Sequence, residues 1–253
     1  MSKPTSIEHD PQKSRFIAII PALNEESTIG AVLDELSAKH PGCIPIVVDD
    51  GSVDGTARIA AEHGARVVIM ARNVGIGSAV QIGFLIAARE GIDYLVQVDA
   101  DGQHDPAELD AILGPVRRGD VNVAIGSRFL DGGSFRHAFH RRLLIRAFAR
   151  LITLVTGQHL TDTSSSFRAY DRRAILFCAD NYPQGFLESI ESLVLMTRAG
   201  LTVSEVPVII RPRLSGETSL SLGRTMIYTG KVLMAIAVSL TRSAVTPRQD
   251  TLR

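Results

Sequence analysis

No stretch of this sequence is long and apolar enough to cross a membrane. The best candidate, Val232 to Leu240, is nine residues long behind Lys231, whereas a spanning helix needs about 20. It reads as a packed or surface-lying helix. Membrane association therefore has to come from an amphipathic surface or from a membrane-anchored partner protein. Net charge is missing as well: 27 basic residues against 27 acidic leave +0, so no global field advertises nucleic acid as a partner. Cysteine is scarce. Cys43 and Cys178 lie far apart and form no metal-ligand pattern, so they read as buried thiols rather than a disulfide, which suits a cytoplasmic location. The N-terminus has no apolar signal core; residues 1–14 are polar, contain Pro4 and Pro11, and are expected to be a disordered tail. Internal repeats and extended low-complexity segments are absent too.

What is present suits one folded domain. With 253 residues, 45% of them hydrophobic and 21% charged, the chain can bury one substantial core. Apolar runs alternate with helical patterns: strand 16–20, helix 27–39, strand 44–49, helix 54–63, strand 66–70, helix 77–90, strand 94–98, a helix near 106–117 and a strand near 121–126. This order predicts an α/β fold, a mostly parallel twisted sheet with helices on both faces. Farther on, helices near 140–156, 171–178 and 188–199 frame a loop at Asp162, and 203–210 reads as a closing strand. No linker interrupts residues 15–225, and 226–253 are expected to form a C-terminal helix and tail.

Three of the strands run abruptly into polar clusters. Val96-Gln97-Val98 stops at Asp99-Ala100-Asp101-Gly102-Gln103-His104. Two aspartates one residue apart, with an amide two further on, offer hard oxygen ligands for Mg²⁺ or Mn²⁺, and the small Ala100 and Gly102 let a diphosphate approach. Ile46-Val47-Val48 ends at Asp49-Asp50-Gly51-Ser52, where an acid can accept a hydrogen bond from a ribose or a base. Phe16 to Ile20 ends at Pro21-Ala22-Leu23-Asn24-Glu25 before a helix opens. Each cluster has a plainer reading: solvated acids for the first two, a helix cap for Asn24 and Glu25. Asn73-Val74-Gly75-Ile76-Gly77, Gly-rich before a helix, is either a phosphate cradle or an ordinary loop. Strand ends along one sheet edge are where open α/β sheets place ligands.

Together these segments resemble the family 2 glycosyltransferases, and within them the dolichol-phosphate mannosyltransferase group, which also carries a motif like Asp162-Thr163-Ser164-Ser165-Ser166-Phe167-Arg168-Ala169-Tyr170. The resemblance spans roughly residues 15 to 220. It implies a GT-A fold for the catalytic domain at 15–225, a GDP- or UDP-linked sugar donor, a divalent metal, and inversion at the anomeric carbon. By the same resemblance Asp99, Asp101 and Gln103 take the metal and donor-diphosphate positions. Pro21, Ala22, Asn24, Glu25, Asp49, Asp50 and Ser52 take the nucleotide, with Asn73, Gly75 and Gly77 beside the donor. His104 reads as equally a structural turn residue.

The resemblance implies a polyprenyl-phosphate acceptor, and charge bears on that implication. Transfer to a sugar hydroxyl needs a general base, whereas a polyprenyl phosphate is already anionic and needs cationic and hydrogen-bonding groups to hold it in line. Arg128, Arg168 and Arg213 are the candidate cations, with Ser165 and Ser166 beside them, and Asp101, Arg128 and Arg168 are the expected catalytic residues. Each Arg has an alternative as the structural partner of a carboxylate. Two positions depart from the resembled pattern: the usual Lys is missing near Ser219, and Ser166 replaces a Gly. Residues 136–155, with Arg136, Arg141, Arg142, Arg146 and Arg150 among leucines and phenylalanine, read as a membrane-surface helix or as a packed helix with a basic face. The expectation is a peripheral enzyme at the inner membrane face that moves a sugar to a polyprenyl phosphate. The alternatives are a family 2 transferase acting on a hydroxyl acceptor, with Asp162 or Glu191 as base, and a nucleotidyltransferase-like sugar-nucleotide-binding protein.

Overall fold

The computed structural model describes residues 16–130, 150, 153–154, 157–158, 160–184 and 188–211. Arg213, Ser219, the 1–14 and 226–253 segments and most of 136–155 lie outside the described residues. Strands β1 (Phe16–Ala22), β2 (Cys43–Asp49), β3 (Arg66–Ile69) and β4 (Tyr94–Gln97) pair in parallel. With β5 (Val123–Ser127), β6 (Arg168–Asp171) and β7 (Val203–Pro207) they form one seven-stranded sheet in the order β3-β2-β1-β4-β6-β5-β7. Only β6 runs against its neighbours.

Every residue of β1 is buried, as expected for a central parallel strand covered on both faces. Ile17 and Ile19 face one core, formed with α3 (Ile76–Arg89), α5 (Arg172–Asn181) and α6 (Glu188–Arg198). Phe16, Ala18, Ile20 and Ala22 face the other, formed with α1 (Ile29–Lys39), α2 (Thr56–Glu62) and α4 (Leu109–Arg117). Along α1 the buried Ile29, Val32, Leu33 and Leu36 recur at helical spacing and make one apolar stripe. A 3-10 turn at Pro106–Glu108 precedes α4, capped by Asp105, whose carboxylate accepts the Ala107 N–H.

The register lines up the strand ends. Ala22 pairs with Asp49, Ile19 with Gln97, and Gln97 with Arg168, the first residue of β6. From β1 the chain moves outward to β2 and β3, then returns to place β4 on the other side of β1. The order therefore reverses between β1 and β4, and the crevice at such a switch point is where this architecture receives ligands. Asp99 and Asp101 follow directly on β4.

The predicted alternation of strands and helices through residue 127 is present, with ends displaced by a few residues. β6 is an addition to the expected elements: Arg168-Ala169-Tyr170-Asp171 is short and begins with a charge, so no strand pattern marks it. The 203–210 strand stops at Pro207, and the segment beyond it makes an isolated bridge from Ile210 to His104 in the turn after β4. Both cysteines are free thiols, and burial pushes Cys43 up to about 12.

Phe84 is fully buried on α3, edge-on to Tyr170 at 4.9 Å and tilted against Tyr182 at 5.2 Å. Phe84→Ala is expected to lower stability by about 3–5 kcal/mol, measured by urea unfolding; a loss under about 1 kcal/mol would mean that α3 is not anchored through this ring.

Candidate active site

The first wall of the crevice is built by the turns after β1 and β2. Asn24 sits in the left-handed region at φ 55°, a conformation Asn tolerates better than most residues. Its N–H donates to Ser52 Oγ at 2.9 Å, and its Oδ1 accepts the Val53 N–H at 3.0 Å. Ser52 in turn donates its N–H (3.0 Å) and its hydroxyl to Asp49 Oδ1. Glu25 donates its N–H to Thr56 Oγ1 and caps α1 with its carbonyl, while its carboxylate accepts the Thr28 hydroxyl at 2.9 Å.

Asp50 serves the chain itself. Its two oxygens accept the N–H groups of Val74 and Gly75, each at 2.8 Å. A phosphate cradle was one reading of this Gly-rich loop, but a carboxylate already fills the anion's place at those two donors. The glycines also meet protein: a Cβ on Gly77 would lie 2.2 Å from the Pro183 carbonyl oxygen, and one on Gly51 would lie 2.6 Å from the backbone of Arg72. The loop before α3 is thus pinned at both ends, with Asn73 exposed between them.

Beyond β4 the chain turns sharply through Gly102, at φ 76°. Asp101, 5% exposed, accepts the Gln103 N–H at 3.0 Å. Asp99 donates its N–H to His104 Nδ1 at 3.0 Å, and its Oδ2 accepts the Ser166 hydroxyl at 2.7 Å. Asp99 Oδ1 is buried and has no hydrogen-bond partner among the described residues. Such an oxygen is costly unless something else meets it.

The opposite wall comes from β5, the Asp162 loop and β6. Arg128 clasps Asp162 through Nε (2.7 Å) and Nη2 (2.9 Å), and Nη2 also reaches Ser164 Oγ. Burial disfavours its charge, but the Asp162 carboxylate more than offsets this and Asp99 adds to the effect, so its pKa is raised. Glu205 on β7 holds the loop from behind, accepting the N–H groups of Thr161 and Asp162 and the Thr161 hydroxyl. Arg168 is 1% exposed and donates to the carbonyls of Thr163, Ser165 and Ser189 and to Ser192 Oγ. The expected contact between Arg168 and an acceptor phosphate does not fit this placement, because protein atoms enclose its guanidinium.

A strap crosses behind the Asp99 turn. The Arg211 N–H donates to the Gln103 carbonyl at 2.9 Å, and the Gln103 side-chain amide donates to the Arg211 carbonyl at 3.3 Å. Gln103 was expected to serve a metal, a role for its side-chain oxygen; its amide nitrogen is the atom turned to the strap. The Arg211 guanidinium binds Glu35 at 2.7 and 2.8 Å and Asp105 at 2.7 Å.

Residues 17–177 match the family described as glycosyl transferase family 2. The chain belongs to this family. This glycosyltransferase is 33% identical over 218 residues to polyprenol monophosphomannose synthase of Mycolicibacterium smegmatis, covering 82% of this chain and 81% of the relative. It is 31% identical to undecaprenyl-phosphate mannosyltransferase of Micrococcus luteus, covering 94% and 98%. Among solved structures it is similar to glucosyl-3-phosphoglycerate synthase from Mycobacterium tuberculosis in complex with Mn²⁺, UDP-glucose and phosphoglyceric acid. The TM-score is 0.68 at 21% identity, covering 93% of this chain and 88% of that one. That likeness bears on the fold, which is the expected GT-A arrangement.

The divalent ion that the family implies would meet two acids at the Asp99 turn of the glycosyltransferase. Among the described residues no group of three or more His, Cys, Asp and Glu side chains gathers to enclose a metal. Two acids at one turn, one with a bare buried oxygen, suit Mg²⁺ or Mn²⁺, which take one or two carboxylates and complete their shell with phosphates and water. Sequence reasoning missed Glu205 and Ser192, which position the loop without lying in any motif. It also placed the notable acid of α6 at Glu191, whereas the deeply buried one is Glu188, 4% exposed, whose carboxyl burial pushes up. No described helix of the glycosyltransferase is long and apolar enough to cross a membrane.

The strap generates a pH prediction. The Arg211 guanidinium holds Glu35 below its ordinary 4.5. Burial opposes the same shift at Asp105, but the Ala107 N–H and Arg211 outweigh it and take the group below 3.8. Depressed carboxylates contribute stability that is complete above their unfolded values and is lost as pH falls through the folded ones. Arg211→Gln is therefore expected to cost up to about 1 kcal/mol at neutral pH, as half-exposed pairs do, with the gap to wild type closing below about pH 4. Urea unfolding across pH reads this, and a gap that persists unchanged into strong acid would contradict it.

Proposed function

We propose that this glycosyltransferase moves a sugar from a nucleoside-diphosphate sugar to a polyprenyl phosphate, acting peripherally at a membrane surface. The observation that carries the reading is the meeting of opposite charges across one crevice: Asp99 and Asp101 on the β4 side, and Arg128, within electrostatic reach of Asp99, on the β5 side. The names of the relatives from Mycolicibacterium smegmatis and Micrococcus luteus point to the same acceptor class.

The geometry supports the following roles. The turns after β1 and β2 receive the nucleoside, with Asn24, Glu25, Asp49 and Ser52 setting the shape of that wall. Asp99 and Asp101 hold the divalent ion, which when bound offsets the charge that gathers on the departing diphosphate. An oxygen of the acceptor phosphate attacks the anomeric carbon, the bond from that carbon to the β-phosphate oxygen breaks, and the nucleoside diphosphate leaves with the electron pair. Arg128 holds the incoming anion, its fork oriented by Asp162. Arg168 is a positioning residue that fixes the loop carrying Ser165 and Ser166.

A phosphate nucleophile suits this site better than a hydroxyl. Its attack releases no proton, whereas a hydroxyl must find a base. Asp162, 1% exposed, is poorly placed to be one, since both of its oxygens are already taken by the Arg128 guanidinium.

The test is transfer from UDP- and GDP-sugars to a short-chain polyprenyl phosphate and to the corresponding free alcohol. Transfer to the phosphate alone is expected; equal or better transfer to the alcohol overturns the acceptor. Chelation, or Asp101→Asn, is expected to lower turnover on the order of a hundredfold or more, the several kcal/mol that charge stabilisation by a metal supplies. Full activity of wild type in chelator removes the metal from the scheme.

A further inference from the structure

Ser166 occupies a position where the resembled motif carries Gly, and it touches the acid at the centre of the crevice. Its hydroxyl donates to Asp99 Oδ2 at 2.7 Å. His104 Nε2 lies 3.6 Å from the same oxygen. The His104 ring is fixed: its Nδ1 accepts the Asp99 N–H, which leaves its proton on Nε2, and it stacks on Phe167 with centroids 4.5 Å apart. Ser166 is fixed in turn by its neighbours, since the Ser165 hydroxyl accepts the Phe167 N–H and its carbonyl accepts Arg168 Nε. One oxygen of Asp99 is therefore engaged and flanked by protein donors, while the other, Oδ1, is buried and bare.

A carboxylate in that state has one oxygen to give a cation, not two. The difference matters because divalent ions differ in what they accept. Ca²⁺ takes about 6–8 oxygens and often a bidentate carboxylate, whereas Mg²⁺ demands a near-ideal octahedron, with single oxygens at about 2.0–2.1 Å. We propose that Ser166 is a positioning residue that makes Asp99 a one-oxygen ligand and thereby sets the site's preference for small divalent cations over Ca²⁺. This rests on the reading of Asp99 and Asp101 as the metal-holding pair. Without the hydroxyl, Oδ2 is released, the carboxylate can rotate and offer both oxygens, and Ca²⁺ gains.

The experiment measures Mn²⁺ binding by electron paramagnetic resonance and calorimetry, with UDP or GDP present, and titrates Ca²⁺ in competition. Ser166→Gly, the residue of the resembled motif, and Ser166→Ala are expected to lower the ratio of Mn²⁺ to Ca²⁺ affinity about tenfold, the scale on which partners of metal ligands act. Ser166→Thr keeps the hydroxyl and is expected to keep the wild-type ratio. Thermal unfolding confirms that each variant is folded. An unchanged ratio in the folded Gly and Ala variants overturns the role of Ser166, as does a Thr variant that behaves like Ala. Wild-type protein that binds neither cation overturns the metal-pair reading itself, a different outcome from binding that Ser166 does not tune.

Discussion

A guanidinium sealed inside a protein must find acceptors for its donors, and much of this site follows from how Arg168 finds them. Leaving such a charge unmet would cost far more than any single contact returns. Arg168 begins the lone antiparallel strand, opposite Gln97 at the end of β4, so its position is fixed by sheet register. From there it binds Thr163, Ser165, Ser189 and Ser192, which ties the 163–165 loop to the first turn of α6. That tie sets the two ends of the loop. At one end Asp162 faces Arg128; at the other Ser166 faces Asp99. Arg168, enclosed by protein atoms, thus determines how the Arg128–Asp162 pair is placed relative to Asp99.

The acids along the sheet edge solve the same problem in different ways. Asp50 has both oxygens on backbone N–H groups and acts as an internal anion for the loop before α3. Asp162 is neutralised by a bidentate Arg and backed by Glu205, a second carboxylate that spreads over three donors. Only at Asp99 does a buried carboxylate oxygen remain without a partner in the described structure. The contrast separates acids that build the site from the acid that has capacity left for a ligand.

Sequence patterns carried the frame well and individual roles less well. The apolar runs of β1, β2 and β4, each stopping at a polar cluster, were enough to place Asp49 and Asp99 on one edge, because parallel register aligns strand ends. They could not distinguish Asp50 from Asp49, since the difference is which way each carboxylate turns and which loop returns to meet it. Arg128 and Arg168 sit in equally suggestive motifs, yet one lines the crevice beside Asp99 and the other is enclosed. That outcome depends on β6, a four-residue strand with no apolar periodicity to reveal it. Glu205 was invisible for a related reason: its partners, Thr161 and Asp162, are brought to it only by the pairing of β5 with β7.

The bare oxygen and the clasped acid bear on one chemical question, which reactant needs help from the protein. In a transfer whose nucleophile is already an anion, the protein has no proton to remove and must instead hold two negatively charged groups near each other. That task calls for a cation on each side and for acids whose charges are already balanced, because a loose carboxylate in the crevice would repel both reactants. Here Arg128 keeps its charge through Asp162, and the charge of Asp162 is cancelled by the same contact. In the proposed scheme Asp99 and Asp101 would supply the negative charge that a divalent ion requires beside a bound diphosphate. The acids of this edge thus divide into those engaged by the chain's own donors, such as Asp50 and Asp162, and Asp99, which keeps one buried oxygen without a partner among the described residues.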